Sequence, residues 1–469
     1  MKPTASLGTL PDDIVECIVR HVAAGSKHDA TLSALLQLNR LWRHHARGRY
    51  YAAAMVDFPA HSRAQRHQLP IPRLTRELLH DHGQFVVRLE VFIDVCAIVA
   101  GAEDPTAAAV MLHGCNTLPR ARQVTFTVYY ADLHSLLDGG EQLAVADVVE
   151  RVMEALCSAA ELACRVAPNA TQLCVFGNSQ QAPTVHMLDL QAAITDGLAG
   201  VLASPPAASP GWRRLQEITI AETMGSANTL NLVRRSAATL RTLVIGRADT
   251  ALLGALVRYS GSPSGVLEYP QLTTLQISMS LGAVDSADPA ESISGAFPCL
   301  ERLTYGGTAP MSLADVLDER GPCLRYLSLA IGCPLAQRLV TGRMLDRAAF
   351  ASLRVLQVEF APTNGCSVFL GHKARMVERV AQMCPRLARL RLAGLRGDGL
   401  SGLLSGRVFP RTLHTMDLPD IGPSHIDACI QFAQGIKEAN PHIDTVKVGL
   451  RIDDPSEADL AVLNDGSAR

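Results

Sequence analysis

The sequence predicts an α/β solenoid: short parallel strands stacked side by side, each joined to the next by a returning, largely helical segment. Three observations carry that reading. A short phrase with apolar residues at positions 1, 4 and 6 recurs down the chain, most clearly as Pro322-Cys323-Leu324-Arg325-Tyr326-Leu327-Ser328-Leu329. Its copies start 25, 32, 28, 24, 29, 34, 26 and 30 residues apart from Leu215 onward, a drifting period that marks a repeat array. The segments between copies carry apolar residues at helical spacing.

Each element of the phrase has a physical reason. Leu327 and Leu329 alternate with Ser328, the period of a strand with one buried face. One such strand cannot bury that face alone, but stacked on its neighbours it can. Tight copies are Leu272/Leu275/Ile277, Leu300/Leu303/Tyr305, Leu353/Leu356/Val358 and Leu387/Leu390/Leu392. Looser ones are Leu215/Ile218/Ile220, Leu240/Leu243/Ile245, Leu413/Met416/Leu418 and Ile443/Val446/Val448. Parallel neighbours need a crossover of about 15 to 20 residues. Residues 311–320, 374–384 and 425–440 have helical patterns that fit it. Earlier in the chain, Phe85 to Val91, Pro119 to Tyr130 and Pro168 to Phe176 read as strands, and Asp147 to Val166 as a long amphipathic helix. Residues 204–211, 281–295 and 361–373 read as loops.

The L-x-x-L-x-L cores, several with Pro-Cys or Cys-Pro ahead of them, resemble the leucine-rich-repeat family, in the variant common in ubiquitin-ligase receptors. The asparagine that usually follows the core is largely missing. The resemblance implies strands on a concave face and helices on a convex one.

Residues 7–51 do not follow the repeat. Thr9-Leu10-Pro11-Asp12-Asp13 is a helix start, with a capping hydroxyl, a first-turn proline and two carboxylates at the positive end of the dipole. Ile14, Ile18 and Val22 follow at i, i+4 and i+8. A second apolar stretch carries Leu32, Leu35, Leu36 and Leu38, and a third carries Leu41, Trp42, Tyr50 and Tyr51 among arginines. These three short helices resemble an F-box: Leu10-Pro11-Asp12-Asp13-Ile14 opens it, Ile18 and Val22 continue it, and Asn39-Arg40-Leu41-Trp42-Arg43 closes it. No cysteine precedes Arg40, and the segment from Ala23 to Thr31 is long for the family. The resemblance implies that Leu10, Pro11, Ile14, Ile18, Leu38 and Trp42 bind a Skp-type adaptor, which docks on a cullin scaffold. A helical cap over the first repeat is the competing reading. A docking face would leave Leu10, Ile14 or Ile18 exposed, whereas a cap would cover them all.

The organisation expected is therefore 1–51 helical module, 52–84 connector, 85–452 solenoid and 453–469 flexible tail. The connector holds Pro59, Pro70 and Pro72, and His61, His67, His80 and His82 without ligand spacing, so no metal is expected. Of 469 residues 48% are hydrophobic and 19% charged, which fits an ordered, well-buried protein. A net charge of -2 provides no bulk attraction for nucleic acid or membrane. No apolar run reaches the roughly 18 residues of a membrane span. The 12 cysteines form no framework, and Cys299, Cys323 and Cys384 read as small buried hydrophobes in a reducing cytoplasmic or nuclear setting.

No nucleophile elbow, phosphate loop or zinc motif occurs, so neither bond chemistry nor a cofactor is expected. Binding is. Residues between the leucines face outward on the strands, among them Arg302, Arg325, Tyr326, Arg354, Arg389 and Arg391. Such an arginine row suits carboxylates or phosphates of a client protein, and a merely solvated face is the plain alternative. The resemblance implies a substrate-recognition subunit of an SCF-type cullin-RING ubiquitin ligase, monomeric within its complex, that raises a client's local concentration. The alternatives are a repeat scaffold outside ubiquitin transfer and a receptor for a small ligand.

Overall fold

The structure is a computed structural model. It describes residues 11–23, 28–37, 40–58, 72–100, 112, 117–130, 145–178, 185–203, 212, 214–221, 227–248, 252–257, 266–279, 295–307, 317, 320–331, 350–360, 384–393, 408–418, 426–449 and 462–464. The chain forms two compact units, Met1–Ser236 and Ala237–Arg469.

The first unit opens with three helices, α1 (Asp12–Ala23), α2 (His28–Leu36) and α3 (Arg40–Tyr50). Val15, Val19, Leu32 and Trp42 form their common core, with Val22, Leu35 and Tyr50 packed against it. A parallel sheet follows: β1 (Ala53–Phe58), β2 (Arg88–Asp94), β3 (Gln123–Tyr129), β4 (Gln172–Asn178) and β5 (Glu217–Ile220), each strand pairing with the next. Leu89, Val124, Leu173 and Ile218 stand rung on rung, as do Val91, Phe126, Val175 and Ile220. All are buried, as the alternation predicts.

The helices of this unit are α4 (Arg76–His82), α5 (Val95–Val99), α6 (Val145–Val166), α7 (Val185–Ala203) and α8 (Ala227–Arg235). On α6, Val152, Leu156, Ala159 and Ala163 lie on one buried stripe. Two glycines let α7 lie close to its neighbours. A methyl at Gly197 would meet the Met153 sulfur of α6 at 2.5 Å, and one at Gly200 would meet the Asn228 side chain of α8 at 3.0 Å. The Asn228 amide also donates to Asp196, at 3.1 Å.

Residues 52–84 are more than a connector. They contain β1 and α4, whose first turn is capped by the Thr75 hydroxyl accepting from Leu78 N at 3.1 Å. Residues 72–74 lie along the free side of β1 through Met55 N to Pro72 O, 2.9 Å, and Leu74 N to Met55 O, 2.6 Å, which covers that sheet edge. Asp57 of β1 is 4% exposed and pairs with Arg73 at 2.9 Å, so this carboxylate is inside the fold. His82 is likewise not free in solvent: it stacks on Tyr51 at 4.0 Å.

The second unit contains β6 (Thr242–Ala248), α9 (Leu252–Val257), β7 (Thr274–Met279), β8 (Arg302–Gly307), β9 (Tyr326–Ile331), β10 (Val355–Phe360), β11 (Arg389–Ala393), β12 (Thr415–Leu418), α10 (Ile426–Ala439), β13 (Thr445–Gly449) and β14 (Val462–Asn464). From β6 to β13 each strand pairs in parallel with its successor. Leu243, Leu275, Leu303, Leu327, Leu356, Leu390, Met416 and Val446 form one continuous buried row. The first leucine of each phrase, from Leu240 to Ile443, is also buried. Repeated parallel strands in sequence order are the arrangement of a solenoid-like repeat.

Side chains stitch the turn before each strand to its neighbours. Thr412 donates to Pro385 O at 3.0 Å, Arg320 to Pro298 O at 2.8 Å, and the His442 ring lies 2.9 Å from Pro410 O. Such bonds satisfy carbonyls that no strand ladder reaches. In the tail, β14 pairs antiparallel with β13, giving ordered structure where the sequence reads as a frayed end. Residues 204–211, 281–294 and 361–373 lie outside the described residues, as does nearly all of 311–320 and 374–384. Among the described residues no helix is long and apolar enough to cross a membrane.

Two cysteine assignments are corrected. Cys384 is buried, but Cys299 and Cys323 are exposed. In Cys384-Pro385 the thiol precedes the turn and faces the core. In Pro298-Cys299 and Pro322-Cys323 it sits one residue before the first leucine, on the outside of the turn.

Candidate functional site

Two surfaces hold the residues singled out in the sequence. The first is α1. Proline at position 11 leaves its carbonyl to accept from Val15 N at 3.0 Å, which closes the first turn. Glu16 and Arg20 pair at 2.7 Å on the solvent side. Val15 and Val19 face inward at 0% and 1% exposure, while Ile14 and Ile18 lie at i, i+4 on another side, 43% and 37% exposed. Burial of each isoleucine against a partner offers on the order of 1–2 kcal/mol. Pro11 is exposed beside them. Trp42 does not join this face. At 2% exposure it is core, and its indole holds α3 to α1 and α2. Leu10 and Leu38 lie outside the described residues.

The second surface is the outward face of β8–β12 in the second unit. Strand alternation sends every second side chain out, so register decides which of them meet. Arg302 of β8 stands opposite Tyr326 of β9, with its guanidinium carbon 5.8 Å from the ring centroid. The Tyr326 hydroxyl donates to Gln357 Oε1 of β10 at 3.1 Å. Arg325 lies 3.5 Å from Glu301, and Arg391 lies 3.6 Å from Asp417. Both are long pairs; the first is solvent-exposed and worth a fraction of a kcal/mol, while in the second Asp417 is half-buried.

Arg354 and Arg389 differ. Both are exposed, and among the described residues neither has an ion-pair partner. Arg354 N donates to Arg325 O at 2.9 Å, and Arg389 N to Arg354 O at 3.0 Å. The two lie on successive rungs but one residue out of register, because Arg389 stands opposite Val355. All six sequence-derived residues, Arg302, Arg325, Tyr326, Arg354, Arg389 and Arg391, thus lie on strands β8 to β11 or immediately before them.

Further along the same strands the outward side chains are small or hydrogen-bonding. Ser278, Thr304, Gly306, Ser328, Gln357 and Arg391 line a concavity of about 240 Å³. Sequence reasoning marks the arginines but misses this depression. The signal for it is positional: Ser278, Gly306 and Ala330 fill one outward row with the smallest side chains on the face. Glu359 sits at the rim, exposed.

The outward face of the first unit's sheet is chemically different. Met55, Asp57, Phe92, Thr125 and Tyr129 are buried on it. Glu90 is largely buried, which pushes its carboxyl above the usual range, and Arg88 at 2.9 Å only partly offsets that. Burial likewise raises the Cys174 thiol, beside Gln123 at 3.9 Å. A raised thiol is a poor nucleophile. Among the described residues no group of three His, Cys, Asp or Glu side chains gathers to hold a metal.

No family model matches the chain, and no curated protein matches it. Among solved structures the chain is similar to one described as a Rad7 and Elc1 complex in yeast, at 14% identity and a TM-score of 0.31, over 87% of this chain and 88% of that one. A TM-score that low carries no argument about fold or function.

Proposed function

We propose that the chain is a substrate-recognition subunit of a Skp–cullin ubiquitin ligase, with an F-box-like helical module and leucine-rich repeats. Its first helix would take a Skp-type adaptor on Ile14 and Ile18, and through it a cullin scaffold. The outward face of β8–β12 would hold a client protein. The chain itself would make or break no bond; it would raise the client's concentration at the ligase, in cytoplasm or nucleus.

The observation that carries the reading is the division of α1. Its valines are spent on the three-helix core, while two isoleucines one turn apart remain in solvent. A cap has no use for an exposed aliphatic pair, whereas a docking helix requires one.

The test is capture of a purified Skp-type adaptor by the full chain, beside Ile14→Asp/Ile18→Asp. The native chain is expected to capture the adaptor. The double variant, which places two charges in the interface, is expected to bind at least about 100-fold more weakly with an unchanged melting temperature. Failure of the native chain to capture any Skp-type adaptor makes the three helices structural and leaves a repeat scaffold.

A further inference from the structure

We infer that the β9–β11 face binds an extended, carboxylate-rich peptide segment, with its acidic side chains on Arg354 and Arg389 and its backbone along the adjoining concavity. The inference rests on reading this face as the client surface; it does not depend on adaptor docking.

Charge is the first ground. Arginine outnumbers acid on these strands, and two of the acids on the face are engaged. Glu301 lies against Arg325, and Asp417 against Arg391. Arg302 is placed over the Tyr326 ring. That leaves Arg354 and Arg389, on successive rungs and one residue out of register, both exposed and without an ion-pair partner among the described residues. Each offers a planar fork that a carboxylate can accept in two bonds. A segment carrying spaced carboxylates can reach both without breaking an existing ion pair.

Shape and polarity define the rest of the occupant. Gly306 and Ala330 give the concavity a low floor, so a chain can lie close to the strands. Thr304, Ser328 and Gln357 supply hydroxyl and amide groups at its side, which suit a peptide backbone better than an apolar side chain. Tyr326, contacted by Arg302 and by Gln357, lies on the same outward face beside the concavity. Nucleic acid fits less well. Glu301, Glu359 and Asp417 share the face, and a continuous phosphate backbone would have to pass them, whereas a peptide places its charges only where arginines stand.

The experiment is fluorescence anisotropy with the full chain and no adaptor. The probe is a labelled peptide alternating Asp and Glu with Ser and Gly. Two others of equal length accompany it, one with Lys for the acids and one with phosphoserine as its only anion. The acidic peptide is expected to bind and the Lys peptide not. Raising salt from about 50 to about 300 mM should weaken binding severalfold. Arg354→Gln/Arg389→Gln should weaken it at least about tenfold. Arg214→Gln/Arg235→Gln, the same charge change at exposed sites in the first unit, should alter it less than about twofold. Ile14→Asp/Ile18→Asp should bind the peptide normally, so a failed adaptor capture and a failed peptide site are separate results. The inference is overturned if the acidic peptide does not bind, if both arginine pairs matter equally, or if only the phosphoserine peptide binds.

Discussion

Asn440, three residues ahead of the last core, shows what a single buried amide does for a turn. It is fully buried, its Oδ1 accepts from Phe409 N at 2.7 Å, and its amide donates to Ile436 O at 3.0 Å. It therefore ties the end of α10 to the turn before β12. Asn440→Ala strands the Phe409 N–H without water, at a cost of about 1–3 kcal/mol. Differential scanning calorimetry should show the melting temperature lower by about 2–10 °C. Glu90 acts in the opposite sense. Burial raises its folded carboxyl above the ordinary 4.5, so between the two values the native chain holds a proton that the unfolded chain releases. Its contribution is thus fully present below about pH 4.5 and falls as pH climbs through the folded value. Glu90→Gln should melt about 2–4 °C higher than the parent at pH 7, with the gap closing as pH approaches 4.5 in thermal scans across that range.

At the scale of elements, the strands were legible and their edges were not. Leucine rows such as Leu275, Leu303 and Leu327 repeat at strand period, and the register places them where the phrase alignment does. β1 escaped because Ala53–Phe58 contains no leucine and carries Asp57, whose burial depends on Arg73 sixteen residues later. α7 escaped because it is apolar nearly all round, which leaves no stripe to detect. The turns divide the cysteines by word order alone, and that division can be measured. Burial pushes the Cys384 and Cys164 thiols up to about 12, which keeps them protonated at neutral pH. Mass spectrometry after brief maleimide treatment of the native chain should find Cys299 and Cys323 labelled. Cys384 and Cys164 should react only after denaturation. Early labelling of Cys384 would mean that its turn is not packed as described.

At the scale of the whole chain, the candidate site was legible in part. The outward arginines follow from alternation, but their pairing does not, because Glu301 and Asp417 meet them only through inter-strand register. The same holds for α1. Helical spacing groups Ile14 with Ile18, yet only packing shows that Val15 and Val19 take the core and release the isoleucines. Each proposed surface lies within one unit, α1 in the first and β9–β11 in the second. Variants of one therefore leave the other's contacts intact, and the two binding steps can be dissected separately.

The strict succession of pairings in the second unit also has a mechanical side. Among the described residues every strand from β7 to β13 is laddered to the one before and the one after it in sequence. A pull on the carboxyl end loads one ladder at a time, as a zip does, while the ladders behind it bear little force. Under such tension the folded sheet would lose its rungs one by one from β14 backwards. The arginine-bearing strands β8–β11 would survive the loss of the last ones.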